Sequence, residues 1–245
     1  MSGDFLTVSG LTKRFGGFTA VDDVSFSVRQ GEMISIIGPN GAGKTTLFNM
    51  LTGQIEPSSG ELSFRGGIIN RLPPHRRARL GLGRTFQIAK PLIALNALEN
   101  VMIGALLHHK SVRAARAHAF DVLEQIGLAQ RAFKRASELT LSERRRLEVA
   151  RALALDPQVI LLDEVMAGLN PTEIGESIAL FHRLHRRGLT LLVIEHNLAV
   201  VRALSQRVIV LDHGVMIGQG GAEDMLTRPE VVSAYLGKRR EWKPS

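Results

Sequence analysis

Apolar and polar residues alternate through much of the first 35 positions, as in Leu6-Thr7-Val8 and Val24-Ser25-Phe26-Ser27-Val28. Successive side chains on a strand point to opposite faces, so this pattern predicts antiparallel strands with one wet face. Elsewhere the apolar runs are unbroken. Met33-Ile34-Ser35-Ile36-Ile37, Val159-Ile160-Leu161-Leu162 and Leu191-Leu192-Val193-Ile194 predict strands buried on both faces, as in a parallel sheet. Val208 to Leu211 adds another strand, with His213-Gly214 as its turn. Arg29-Gln30-Gly31-Glu32 and Pro57-Ser58-Ser59-Gly60 read as turns, the second followed by a short strand from Glu61 to Phe64. From about 90 to 155 the period lengthens. Val112, Ala115, Ala119, Val122 and Ile126 recur at helical spacing, with Arg113, Arg116 and Asp121 between them. No internal repeat or low-complexity tract interrupts the chain, and Lys238 to Ser245 reads as a loose basic tail. We therefore expect an α/β fold in one domain, 1–245. It has an antiparallel β-subdomain and a helical subdomain, about 90–155, inserted in the core.

The strand ending at Ile37 runs into Gly38-Pro39-Asn40-Gly41-Ala42-Gly43-Lys44-Thr45, and then into Thr46 and the apolar Leu47-Phe48-Asn49-Met50-Leu51. This is G-x-x-x-x-G-K-[ST] in the strand–turn–helix order that a phosphate-binding P-loop needs. Gly38, Gly41 and Gly43 let backbone N–H groups close on phosphate oxygens with no Cβ in the way. The helix that begins here adds its positive end. Lys44 would reach the β- and γ-phosphates, and the Thr45 hydroxyl would bind Mg²⁺. The core is therefore read as a P-loop NTPase.

A second apolar strand, Val159 to Leu162, ends in Asp163-Glu164. In a P-loop enzyme an acid there holds Mg²⁺, and a neighbouring carboxylate can polarise the attacking water. Strand alternation would turn the two acids to different sides. Glu195-His196 closes a further buried strand, and Gln87 lies between the nucleotide core and the helical block. Taken alone, a single His is more often structural than catalytic, and a single Gln carries little.

Composition narrows the setting. The 245 residues, 44% of them hydrophobic, can bury a sizeable core. No cysteine is present, so disulfide frameworks and Cys-based metal sites are excluded. Met1-Ser2-Gly3-Asp4 lacks a basic and apolar leader, and no apolar run reaches the ~18 residues that span a bilayer. From this we expect a soluble or peripheral cytoplasmic protein. The net charge of +8 suits a nucleotide, a nucleic acid or an anionic membrane face. With one Trp and one Tyr, platforms for stacking single-stranded bases are sparse.

These motifs, taken together, resemble the ATP-binding subunits of ABC transporters across nearly the whole chain. Gly38 to Thr45 matches Walker A, and Val159 to Glu164 matches Walker B with its catalytic glutamate. Gln87 matches the Q-loop glutamine, His196 the switch histidine, and Phe15 the aromatic that stacks on adenine. Leu139-Thr140-Leu141-Ser142-Glu143 occupies the slot of the L-S-G-G-Q signature, and Ala167-Gly168-Leu169-Asn170 the D-loop.

The resemblance implies an ABC ATPase that binds ATP with Mg²⁺. Nucleotide contacts would come from Phe15, from Gly38 to Thr46, and across a dimer from Thr140 and Ser142. Thr45, Gln87 and Asp163 would hold the metal. Glu164, His196, Lys44 and Gln87 would be catalytic. Arg14-Phe15-Gly16-Gly17, Arg84-Thr85-Phe86-Gln87, Ala167 to Pro171 and Ala234-Tyr235-Leu236-Gly237 look like the importers for branched-chain amino acids. The implied partners are membrane permeases, a second ATPase in a homo- or heterodimer and, indirectly, a secreted binding protein. The implied location is the cytoplasmic face of the inner membrane.

Departures from the pattern matter. Leu141 and Ser142 replace the two signature glycines and Glu143 the Gln, while Thr140-x-x-Glu143 forms a capping box that can still start a helix. Asn170 stands for the usual D-loop Asp and Val165 for a Pro. Other readings are an ABC exporter of lipid or polysaccharide, a DNA-repair ATPase of ABC type, and a binding module without hydrolysis. The sustained heptads of the repair class are missing, and a full set of Lys44, Asp163, Glu164 and His196 argues for hydrolysis. We expect no nucleic-acid partner.

Overall fold

The structure, a computed structural model, describes residues 5–85 and 91–236. Gln87, the tail from 238 and the first four residues lie outside the described residues. The alternating N-terminal segment forms β1 (Leu6–Phe15) and β2 (Phe18–Val28), paired antiparallel. β4 (Ser59–Phe64) and the two-residue β5 (Gly67–Ile68) complete a four-stranded sheet in the order β2-β1-β4-β5. Pro57 to Gly60 is not a turn throughout, since β4 already begins at Ser59.

The second sheet is built from the unbroken apolar runs. β3 (Met33–Ile37), β7 (Val159–Asp163) and β8 (Thr190–Ile194) are buried at every residue, as strands covered on both faces must be. With β6 (Leu82–Arg84), β9 (Arg207–Asp212) and β10 (Val215–Gly221) the order is β10-β9-β3-β8-β7-β6. All neighbours run parallel except β10, which returns antiparallel along the edge of β9. β6 and β10 are too short or too weakly patterned to be seen as strands in the sequence.

Helix α1 (Lys44–Leu51) follows β3, and α2 (Pro74–Leu80) precedes β6. The fully buried Arg77 of α2 donates to the carbonyls of Met50, Leu51, Leu72 and Asn70. It thereby satisfies the last turn of α1, whose C=O groups have no partner within the helix. Between β6 and β7 come α3 (Ala97–Ala105), α4 (Val112–Gln125) and α5 (Leu141–Leu153). Each starts on a side-chain cap, from Asn96, Ser111 and Thr140. Ala115, Ala119, Val122 and Leu123 of α4 enter the same core as Leu98 and Val101 of α3 and Leu147 and Ala150 of α5. Val112 does not join that stripe. It is the first residue of α4 and stays 66% exposed, because the packed face begins a turn later. The chain finishes with α6 (Pro171–Arg186), α7 (Leu198–Leu204), α8 (Ala222–Thr227) and α9 (Pro229–Leu236). Among the described residues no helix is long and apolar enough to cross a membrane.

Candidate active site

The loop between β3 and α1 emerges at the carboxyl edge of the parallel sheet, where β3 lies between β9 and β8. Open α/β sheets bind ligands at such an edge. Two of the loop glycines are required by close backbone approach. A Cβ at Gly38 (φ +151°) would collide with the carbonyl oxygen of Leu211, and one at Gly43 (φ +95°) with that of Ala20. Lys44 is buried, and its Nζ donates to the carbonyls of Gly38 at 2.7 Å and Pro39 at 2.9 Å, curling the loop around its own ammonium. Burial pulls the Lys44 pKa down, while the nearby carboxylates of Glu164 and Asp163 oppose that fall. A cavity of about 360 Å³ opens beside it, lined by Asn40 to Thr46 together with Ala20, Phe18 and Glu164.

β7 carries the acids to the same edge. Its last residue, Asp163, is buried, and its Oδ2 accepts from Nη2 of Arg84 at 3.1 Å. The same guanidinium also donates to Asn49 of α1 and to Thr52. Burial raises the Asp163 pKa, and the Arg84 charge opposes the rise. The other oxygen, Oδ1, is buried and has no hydrogen-bond partner among the described residues. Such an orphaned acceptor near the P-loop, with the Thr45 hydroxyl at the loop exit, fits the hard oxygen donors that Mg²⁺ takes. Arg84 entered the sequence reading only as part of a motif. Its pairing with Asp163 bridges 79 positions and leaves no local signal.

Glu164 does not continue the strand, so alternation does not set its direction. Its φ is +49°, and its N–H donates to Ile194 O of β8 at 3.0 Å. This left-handed turn at a non-glycine residue stores backbone strain of a kind found at functional sites. It leaves the carboxylate at the cavity wall, with Oε1 3.9 Å from Nδ1 of His196. His196 lies in the loop between β8 and α7 and is half exposed. Glu195, beside it, is buried. Burial pushes its pKa up to about 7, Glu164's charge adding to the rise and the Met166 and His196 amides opposing it.

Phe15 stands at the end of β1, 48% exposed, with Lys13 Nζ 5.1 Å from its ring centre. It pairs across the hairpin with Phe18, and Phe18 is the ring that lines the cavity. Thr140 and Glu143 form the expected capping box at the start of α5: Thr140 Oγ1 accepts from the Glu143 amide and Glu143 Oε2 from the Thr140 amide. Ser142 is buried, whereas Leu141 is 46% exposed and leans toward Gly168. Asn170 caps α6 in a reciprocal box with Glu173, which accounts locally for a short amide at that place. The structure therefore gathers Gly38 to Thr46, Asp163, Glu164 and His196 at one edge. Thr140 and Ser142 belong to the helical block, at the head of α5.

This phosphate loop, with a buried acid pair at the end of a neighbouring parallel strand, defines a P-loop ATPase. Residues 21–167 match the family model described as ABC transporter, and the chain belongs to that family. It is 39% identical to the high-affinity branched-chain amino acid transport ATP-binding protein LivG of Salmonella typhimurium, over 97% of this chain and 100% of LivG. Among solved structures, the ADP conformation of MJ1267, an ATP-binding cassette of an ABC transporter, superposes with a TM-score of 0.88. The identity is 32%, over 96% of this chain and 100% of that one. A dimeric post-hydrolysis state of the cassette MJ0796 with ADP and Pi is similar at TM-score 0.80 and 26% identity, covering 89% and 98%. The chain is thus an ATP-binding ATPase subunit of an ABC transporter.

Proposed function

We propose that this subunit powers an importer for branched-chain or related amino acids. The observation that carries this reading is the likeness to LivG along the full length of both chains. In this reading the backbone amides of the Gly38–Thr46 loop cradle the ATP phosphates, and Lys44 exchanges its carbonyl partners for β- and γ-phosphate oxygens. Thr45 and Asp163, with Gln87, would hold Mg²⁺, which when bound neutralises phosphate charge. Arg84 keeps Asp163 aimed at that place. Glu164 accepts a proton from the attacking water, and His196, 3.9 Å away, steadies the same carboxylate and the γ-phosphate. Thr140 and Ser142 would meet nucleotide on the facing subunit of a dimer.

Coupling to transport needs membrane permeases, fed from outside by a secreted binding protein, with this chain peripheral on the cytoplasmic face. The docking surface is read as the region beside Gln87 and the helical block. Leu92, Ile93, Ile103 and Leu106, in α3 and flanking it, expose apolar area on the helical block. The test is reconstitution with permeases, the partner ATPase and the binding protein in ATP-loaded vesicles. Leucine, isoleucine or valine should be taken up. Uptake of a chemically unrelated solute in their place would overturn the substrate assignment. In the same vesicles Glu164→Gln should bind ATP with near-normal affinity while turnover falls by about 10²-fold or more. Turnover like that of the parent would remove Glu164 as the base.

A further inference from the structure

Away from the nucleotide cleft, three ligating side chains from three separate segments converge. His109 follows α3, its N–H bound to Ala105 O at 3.1 Å. His118 sits in the second turn of α4. Asp156 lies between α5 and β7, held at φ +47° with its N–H bound to Leu153 O at 3.0 Å. The two imidazole rings are 4.7 Å apart, and His118 Nε2 is 3.3 Å from Asp156 Oδ1. One ligand atom from each of the three residues lies within 4.8 Å of the others. Among the described residues, His109 Nε2 has no hydrogen-bond partner and is shut off from water, while His118 Nε2, equally buried, has the Asp156 carboxylate 3.3 Å away as its ion-pair partner. A buried imidazole nitrogen without a partner carries an uncompensated desolvation cost, which a bound cation at His109 would offset.

We propose that His109, His118 and Asp156 bind a borderline divalent transition ion, with Zn²⁺ the best match. Two imidazoles and one carboxylate are a donor set that Zn²⁺ accepts. Zn²⁺ bonds of about 2.0–2.1 Å in a tetrahedron put neighbouring donor atoms roughly 3.3 Å apart. The His118–Asp156 separation of 3.3 Å already matches that edge. Metal binding would require the wider gaps to close by side-chain rotation, and the exposed flank at Asp156 would leave the fourth position to water. The ion would fasten α4 and the α3–α4 connection to the turn that feeds β7. Leu155, next to Asp156, lines a cleft with Arg84, Thr85 and Ile103, so bound metal would brace one wall of it.

The experiment titrates ZnCl₂ into the untagged full-length chain by calorimetry, with Co²⁺ as a spectroscopic probe. One Zn²⁺ should bind with micromolar or tighter affinity, and Co²⁺ should give the intense visible bands of tetrahedral coordination. His118→Gln and His109→Gln should each weaken Zn²⁺ by at least about tenfold. Asp156→Asn, at the protein surface, should do the same with the fold intact by circular dichroism. His108→Ala and His213→Ala should leave binding unchanged. No saturable binding by the parent chain, full retention in His109→Gln/His118→Gln, or a faint octahedral Co²⁺ spectrum would each overturn the site.

Discussion

Glu195 illustrates how much a single buried group can govern. Its carboxyl is almost wholly buried one residue from His196, and its pKa stands at about 7. In the unfolded chain it titrates near 4.5. Between those values the unfolded chain releases a proton that the folded chain keeps, so stability falls as pH rises from about 4.5 to 7 and stays lowered above. Glu195→Gln keeps the shape and removes the charge. It should flatten that part of the stability–pH profile and stabilise the protein by a few kcal/mol at pH 8 relative to the parent. Parallel profiles for the two proteins, from urea unfolding across this range, would refute the shift. The adenine contact is also decided at this scale. Family resemblance points to Phe15, yet Phe18 lines the cavity and Phe15 carries Lys13 on its ring. We expect Phe15→Ala to raise the ATP dissociation constant about tenfold, ~1.4 kcal/mol, by loss of stacking. If Phe18→Ala has that effect and Phe15→Ala does not, the base lies against Phe18. ATP and GTP should differ little in either case, because every purine offers a ring face.

Elements here are held by their ends as much as by their faces. α3, α5 and α6 each begin with a reciprocal capping box, and these were legible because the partners are three residues apart. The Thr140-x-x-Glu143 box of α5 is visible in the sequence, and Asn96–Glu99 and Asn170–Glu173 share its spacing. The C-terminal end of α1 is different. Its carbonyls are met by Arg77, 26 residues on from Leu51, and no spacing rule points there. Burial lowers the Arg77 pKa to about 10, so the side chain keeps its charge at neutral pH. Arg77→Met retains the apolar stem but removes the side-chain donor from four carbonyls, of which only Met50 O keeps a second partner among the described residues, the Gly53 amide. It should cost about 3 kcal/mol or more, seen as a lower urea midpoint at unchanged slope. Arg77→Lys should recover less than half, since an ammonium lacks the planar fork of donors. A loss under about 1 kcal/mol for Arg77→Met would show that water satisfies these groups equally well.

For the whole molecule, the altered signature sets the expectation about assembly. In the dimer proposed above, Leu141 would stand where backbone would approach the facing phosphate; in this chain it is 46% exposed, and the amides of Thr140 and Glu143 are already used in the capping box. The purified chain alone should therefore hydrolyse ATP at least about tenfold more slowly than the chain mixed with a second ATPase and the permeases. Fast cooperative hydrolysis by a homodimer of this chain would overturn that expectation. What the sequence determined by itself was whatever depends on neighbours within a few residues. That covers the P-loop and its flanking strand and helix, the fully apolar strands β3, β7 and β8, the antiparallel opening hairpin, and the α5 cap. These follow from side-chain periodicity and short-range hydrogen bonding, which a linear chain displays directly. Tertiary structure alone decided the pairing of Arg84 with Asp163, the approach of His196 to Glu164, the capping of α1 by Arg77 and the meeting of His109, His118 and Asp156. It also broke the alternation at Glu164, whose backbone turns left-handed as its N–H reaches β8. In each case the partner is chosen by strand order and by the packing of the helical block on the sheet. The desolvation that moves each pKa is summed over the whole surrounding shell. Neither quantity is written in the spacing of residues along the chain.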